Sequence, residues 1–130
     1  MSTRQKVGLS LLATAIGWAV GGAGFLLYAS VIWSSLADVA VVIAWTLPFV
    51  LVGWLGFFLP LILLLNDDSG LVRFPAFALV GSVAAVAVFF LLVGWWLPLW
   101  RESVAYLIHP AVTGAAAGTV YSLKAKRSRP

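Results

Sequence analysis

Four apolar stretches, none interrupted by Asp, Glu, Lys, Arg, Asn or Gln, constrain this chain more than any other feature. They run over about 7–33, 39–65, 74–100 and 104–123. Each reaches the roughly 20 residues that a helix needs to cross about 30 Å of hydrocarbon. A helix also satisfies its own backbone polar groups, which lipid cannot do for it. The expected fold is therefore all-α: an integral membrane bundle of four transmembrane helices, up-down, in one domain over 1–130 with a basic tail at 124–130. Composition agrees, with 63% hydrophobic and only 9% charged residues, where a soluble domain carries about 25% charged. Arg4 and Lys6 before the first apolar run imitate a signal peptide. The run is longer than an h-region, so it is expected as an uncleaved first span.

The connections carry turn chemistry. Ser34 to Asp38 (SSLAD) joins the first two spans, and Asn66 to Arg73 (NDDSGLVR) joins the next two. Phe74-Pro75 opens the third span, with proline expected in the first turn, where its missing N–H costs nothing. Arg101, Glu102 and Ser103 form the last connection, with Ser103 expected as an N-cap.

Orientation follows from the basic residues. With four spans, both tails and the second connection share one side, which then holds Arg4, Lys6, Arg73, Lys124, Lys126, Arg127 and Arg129; the other side holds Arg101. Seven against one places both termini in the cytoplasm (N-in/C-in) by the positive-inside rule. The formal charge of +4 thus reads as topology and as attraction of Lys124, Lys126, Arg127 and Arg129 to anionic lipid headgroups, not as nucleic-acid binding. Trp33, Trp45, Trp95, Trp96 and Trp100, with Tyr106, fall in the outer halves of the spans and read as an interfacial belt.

Two seams of small residues predict how the helices pack. Ser10, Thr14, Gly17, Gly21 and Gly24 recur every three or four positions, with Leu9, Leu12, Ile16, Val20 and Leu27 on the opposite side. Ala111, Gly114, Gly118 and Ser122 repeat the pattern in the fourth span. Such seams let backbones approach closely in lipid. The first and fourth spans are expected to pack on each other, antiparallel, through Gly17, Gly21, Gly24, Gly114 and Gly118. The second span, with only Gly53 and Gly56 among bulky residues, should be more lipid-facing. The third, with Ala78, Gly81, Ser82 and Ala85, is intermediate. The seams first hold the chain's own bundle together; one left over would make a homo-oligomer or dock a membrane-protein partner.

Chemistry-bearing residues are few. His109 is the one histidine, about five residues into its span and roughly 8 Å deep. It has no in-chain histidine partner and no carboxylate within the spans, and reads as an interfacial histidine beside Pro110 before it reads as a ligand. No cysteine is present, which removes thiolate metal sites and thiol redox chemistry. No catalytic residue, metal or cofactor is expected. Intramembrane carboxylates mark proton-coupled carriers, and their lack disfavours an exporter of the small multidrug resistance type. Pro48, Pro60, Pro98 and Pro110 remove ladder bonds and can kink their helices. Asp67-Asp68 reads as a solvated turn. Gly-Trp recurs at Gly17-Trp18, Gly53-Trp54 and Gly94-Trp95, and LVGW at 51–54 and 92–95, but the copies differ in spacing and use the chain's commonest residues.

The functional expectation is a small non-catalytic accessory or scaffold subunit packing through its Gly/Ala seams. The alternative is a homo-oligomeric pore or carrier for a neutral or lipid-like solute, using the hydroxyls of Thr14, Ser30, Thr46, Ser82 and Thr113. A holin-like permeabilising protein is the third reading.

Overall fold

The computed structural model describes the backbone of residues 1–32, 36–93 and 101–127. Trp33, Trp95, Trp96, Pro98, Trp100, Arg129, the second half of the second LVGW copy and the start of the SSLAD connection lie outside the described residues, as do the side chains of Arg101 and Tyr106. What is described is 90% helical and holds no strand.

Helix α1 spans Thr3–Ile32. The second helix, α2, opens as Leu36–Gly53, widens into a π-helical stretch at Trp54–Phe58 and ends as Leu59–Leu64. The π stretch ends two residues before Pro60. Proline offers no N–H, and in a regular α-turn its ring would crowd the carbonyl four residues back, here Gly56. Widening the turn relieves that clash, and the Leu59 N–H bonds the Trp54 carbonyl, one residue further back than usual.

The connection after α2 is short and bonded to itself. Ser69 N–H donates to the Asn66 carbonyl (2.9 Å), and Ser69 Oγ accepts from Leu71 N–H (3.3 Å), starting a 3-10 turn at Gly70–Val72. The Phe74-Pro75 bond is cis. Helix α3 then covers Ala76–Val93. Pro75 thus stands just ahead of the helix and not in its first turn, its carbonyl accepting from Leu79 N–H at 3.2 Å.

Helix α4 covers Arg101–Arg127. It starts earlier than expected, so Ser103 is a helical residue and not an N-cap. It also runs beyond Leu123, because Lys124, Lys126 and Arg127 favour a helix C-terminus, where carbonyls accumulate negative potential.

The start of α1, the end of α2, the start of α3 and the end of α4 share one core. It is built from Ala13, Phe58, Ile62, Val72, Phe77, Tyr121 and Ala125. Phe58, Phe77 and Tyr121 form its aromatic centre, with ring centroids 5.4 to 6.0 Å apart. At the same end Asp67 bridges the connection to α1. Its Oδ1 lies 2.9 Å from Lys6 Nζ and its Oδ2 2.9 Å from the Met1 ammonium. The hydrogen bond from Lys6, then that from the ammonium, holds the Asp67 carboxyl below the usual carboxylate range.

Two segments, Thr3–Tyr28 and Ala40–Leu64, are long and apolar enough to cross a membrane, and Ala76–Leu92 is a shorter apolar helix. The two long ones differ in cover: 39% of the most apolar window of the first is buried by protein, against 11% of the second.

Candidate functional site: a cavity between the helices

Helix α4 packs against α1 and α3 on two adjacent faces. Toward α1 it presents His109, Thr113 and Ala117. A Cβ added at Gly17 would stand 2.5 Å from the Thr113 carbonyl oxygen and 2.9 Å from Ala117; one added at Gly21 would meet the Thr113 hydroxyl and, at 3.1 Å, the His109 carbonyl. Toward α3 it presents Gly114 and Gly118. Gly81 and Gly114 oppose each other so closely that a Cβ on either would strike the other's carbonyl, and a Cβ on Gly118 would strike the carbonyl of Phe77.

The small residues picked out by the sequence therefore fall into two contacts. Gly17 and Gly21 face α4, whereas Gly114 and Gly118 face α3 and not α1. Gly24 faces open space. The seam of α1 accordingly runs from Ser10 through Thr14 and Gly17 to Gly21, all buried. Leu12, Val20 and Leu27 on the opposite side are exposed.

Helix α2 is attached differently. Trp18 Nε1 on α1 donates to Thr46 Oγ1 on α2 (2.8 Å), and Trp54 Nε1 on α2 donates to Ser10 Oγ on α1 (3.0 Å). Each hydroxyl passes its own proton to a carbonyl of its helix, Thr46 to Ile43 and Ser10 to Val7. Phe25 adds an apolar contact against Val42 and Ile43. Rings and branched side chains hold α2 off where glycines would have drawn it in.

The stand-off leaves a cavity of about 370 Å³ bounded by all four helices. Its wall is almost wholly apolar: Phe25 from α1; Trp45, Phe49, Phe57 and Phe58 from α2; Ala84, Val88 and Phe89 from α3; Pro110 and Ala117 from α4. Trp45 is 70% exposed on its outer side, so it stands at the rim. Thr14, Thr46, Trp54, His109 and Thr113 are its lining residues with polar side-chain atoms besides Trp45, and no described lining residue carries a charge.

Two of those polar residues are incompletely bonded. His109 is 5% exposed; its Nδ1 lies 3.5 Å from Thr113 Oγ1 and its ring meets Phe25 edge-on, but its Nε2 has no hydrogen-bond partner. Thr14, 8% exposed, has an unpartnered Oγ1. Buried polar atoms are bonded in the great majority of cases, so these two stand out, although neither has surface open to the cavity. Of the other hydroxyls raised by the sequence, Ser30 is occupied by the Leu27 carbonyl and Thr46 as above. Among the described residues, no three of His, Cys, Asp and Glu come together as a metal would need.

Sequence reasoning missed Gly81 as the partner of Gly114 and the paired tryptophan bonds. The signal for the latter was present: both donors belong to the recurring Gly-Trp pair, which reads as chance until its hydroxyl acceptors are brought alongside. Comparison with models of known families, with characterised proteins and with solved structures gives no match to this chain.

Proposed function

We propose that this chain is a small, non-catalytic integral membrane protein that holds a neutral, lipid-like solute inside a bundle of four transmembrane helices. The observation that carries this reading is the cavity. At about 370 Å³ it falls within the roughly 300–1,000 Å³ of small-molecule sites, and its apolar wall with a few polar atoms is of their kind. It opens beside Trp45 on the least covered helix, the side from which a molecule dissolved in lipid would enter.

The up-down arrangement with both termini in the cytoplasm is part of the proposal. It is supported by the meeting of α1's start, α2's end, α3's start and α4's end in one core, and by the seven-to-one distribution of basic residues. In that orientation Lys126 and Arg127, exposed at the end of α4, would meet anionic headgroups of the inner leaflet.

The test is extraction of the protein, purified in mild detergent, with organic solvent, followed by mass spectrometry of what is released. A neutral lipophile recovered in stoichiometric amount, and lost when Ala84→Phe fills the cavity, is the expected result. Recovery of bulk phospholipid alone, identical in both proteins, would count against it. Reporter fusions at the two ends test the orientation, and an extracytoplasmic signal from either would overturn it.

One observation favours a second reading, an accessory or scaffold subunit. Trp45, Leu51, Val52 and Leu55 leave an exposed apolar face on α2 that another helix would cover as readily as lipid. Its seams are spent inside the monomer, so such a partner would meet bulky side chains. A specific protein co-purifying in mild detergent, and released by Leu55→Ala, would support it.

A further inference from the structure

We propose that the cavity takes its guest by a single alkyl chain of about fifteen carbons at most, inserted tail-first, with any polar group left outside at the Trp45 rim. The inference rests on the cavity-holding reading and names the part of the guest that the wall recognises.

Short of the rim, the side chains of the wall leave a guest little to hydrogen-bond with. Thr46 Oγ1 already accepts from Trp18 Nε1 and donates to the Ile43 carbonyl, and Trp54 Nε1 is spent on Ser10 Oγ. Thr113 Oγ1 stands 3.5 Å from His109 Nδ1, on the side where α4 meets Gly21. Thr14 Oγ1 and His109 Nε2 are closed off. Of the polar side chains in the wall this leaves Trp45, which stands at the rim, 70% exposed. No described lining residue carries a charge. A hydroxyl or a carboxylate carried inside would therefore give up its partners and gain none, a cost that a hydrocarbon chain does not meet.

Dispersion decides instead. Phe49, Val50, Phe57, Val88 and Phe89 line the space with surface left uncovered. Their contacts are small singly and large in sum, and an apolar void forfeits them. Water does not fill such a void, because it finds too few polar partners there. Volume limits the chain. An apolar cavity of about 150 Å³ holds one benzene ring. In the same proportion, about 370 Å³ holds about fifteen carbons, which is one chain and not two. A longer chain lies partly outside.

The test uses the full-length protein with ¹³C-methyl valine, in nanodiscs of phospholipid with deuterated chains. Val50 on α2 and Val88 on α3 line the cavity, so their methyl signals report its filling. The probes are tetradecane, tetradecan-1-ol and tetradecane-1,14-diol, with affinities compared per mole of probe in the bilayer. Tetradecane and the alcohol are expected to saturate both signals with affinities within about threefold of each other. The diol has to bury one hydroxyl unbonded, and should bind about fivefold to a hundredfold more weakly. Nuclear Overhauser contacts should run from the terminal methyl group of the alcohol to Val50 and Val88, and from its carbinol protons to the Trp45 ring. From decane through tetradecane to octadecane, affinity should rise and then level off beyond about fifteen carbons. A second arm uses phospholipid with protonated chains. Lipid-chain contacts to the two valines that tetradecanol displaces agree with a neutral guest. Contacts that no probe displaces would make the phospholipid the source of the chain, keeping tail-first entry and overturning the neutral-solute reading. No contact to either valine from any probe or lipid would overturn the cavity-holding reading itself. A diol that binds as tightly as the alcohol, or carbinol protons against Val88, would overturn tail-first entry alone. Affinity still rising at octadecane would overturn the size limit.

Discussion

Helix α4 and helix α2 both line the same cavity, yet they are held by opposite means. Against α4 the neighbours close until backbone meets backbone, at Gly81 with Gly114, Gly118 with Phe77 and Gly17 with Thr113. Against α2 there is no such approach among the described residues; two tryptophan N–H groups reach across to hydroxyls, and aromatic rings fill part of the gap. In the proposed membrane setting, apolar side chains would gain little by leaving the solvent, so close contact and hydrogen bonds would supply the association. A helix offered only the second of these stands further off. The cavity is the space that this difference leaves.

The comparison breaks first at the glycines. Gly81→Ala and Gly114→Ala each place a methyl group against a carbonyl of the opposing backbone, which cannot rotate away. Overpacking of this kind costs about 1–3 kcal/mol, and both should lower the unfolding midpoint in detergent sharply. Gly118→Ala and Gly17→Ala should follow closely. Gly21→Ala should be milder, because the atom it meets first is the Thr113 hydroxyl, a side chain that can turn. Gly24→Ala and Gly56→Ala, with nothing within 4 Å, should be neutral or stabilise by about 0.5–1 kcal/mol, as alanine does over glycine in a helix interior. Equal losses across all seven would show that the tight and loose interfaces are not distinct.

How much of this was legible beforehand depends on what kind of signal each feature leaves. The helical content was plain, because long uncharged apolar runs have few alternatives. So was the importance of Gly17, Gly21, Gly114 and Gly118 as small residues on helix faces. Which face meets which helix was not. His109, Thr113 and Ala117 lie one position from Gly114 and Gly118 in register, so α4 carries two small-residue faces side by side, and spacing alone does not say which faces α1. In the sequence Gly81 is only part of an intermediate helix, since a lone glycine among alanines gains meaning from the glycine opposite it. The π stretch before Pro60 leaves no mark beyond the proline. His109 was placed near the interface by counting residues; its burial depends on Phe25 and Gly21, distant in the chain. The cavity is a property of how far α2 stands away, and no residue spells that distance.

The loose side of the comparison is sharpened by removing its hydrogen bonds. Trp54→Phe keeps most of the ring and loses the N–H to Ser10; Trp18→Phe does the same toward Thr46. Each should cost about 1 kcal/mol, the net worth of a typical hydrogen bond. Ser10→Ala combined with Trp54→Phe should cost less than the two changes added, since both delete one bond. Strict additivity in unfolding experiments would show that Trp54 acts through packing alone.

The smallest effect belongs to the remaining tie on α2, the Asp67 carboxylate just beyond its end. Lys6 Nζ lies 2.9 Å from Oδ1 and also donates to the Leu65 carbonyl at 3.3 Å, so one cation binds both the turn and the helix terminus. The carboxyl is depressed in the folded protein, first by the Lys6 hydrogen bond. Its contribution is therefore fully present above the ordinary carboxylate range and is lost as pH falls through the folded value. The group is partly solvated, and partly exposed ion pairs are worth little, here well under about 1 kcal/mol. Acidification should lower the unfolding midpoint of the native protein slightly more than that of Asp67→Asn, and added salt should narrow the gap by screening. The Gly81 and Gly114 variants should keep the same gap, because no described residue at the interface they disturb is a carboxylate. If Asp67→Asn left the acid response unchanged, the Asp67 ion pair would add nothing to the hold of α1 on α2.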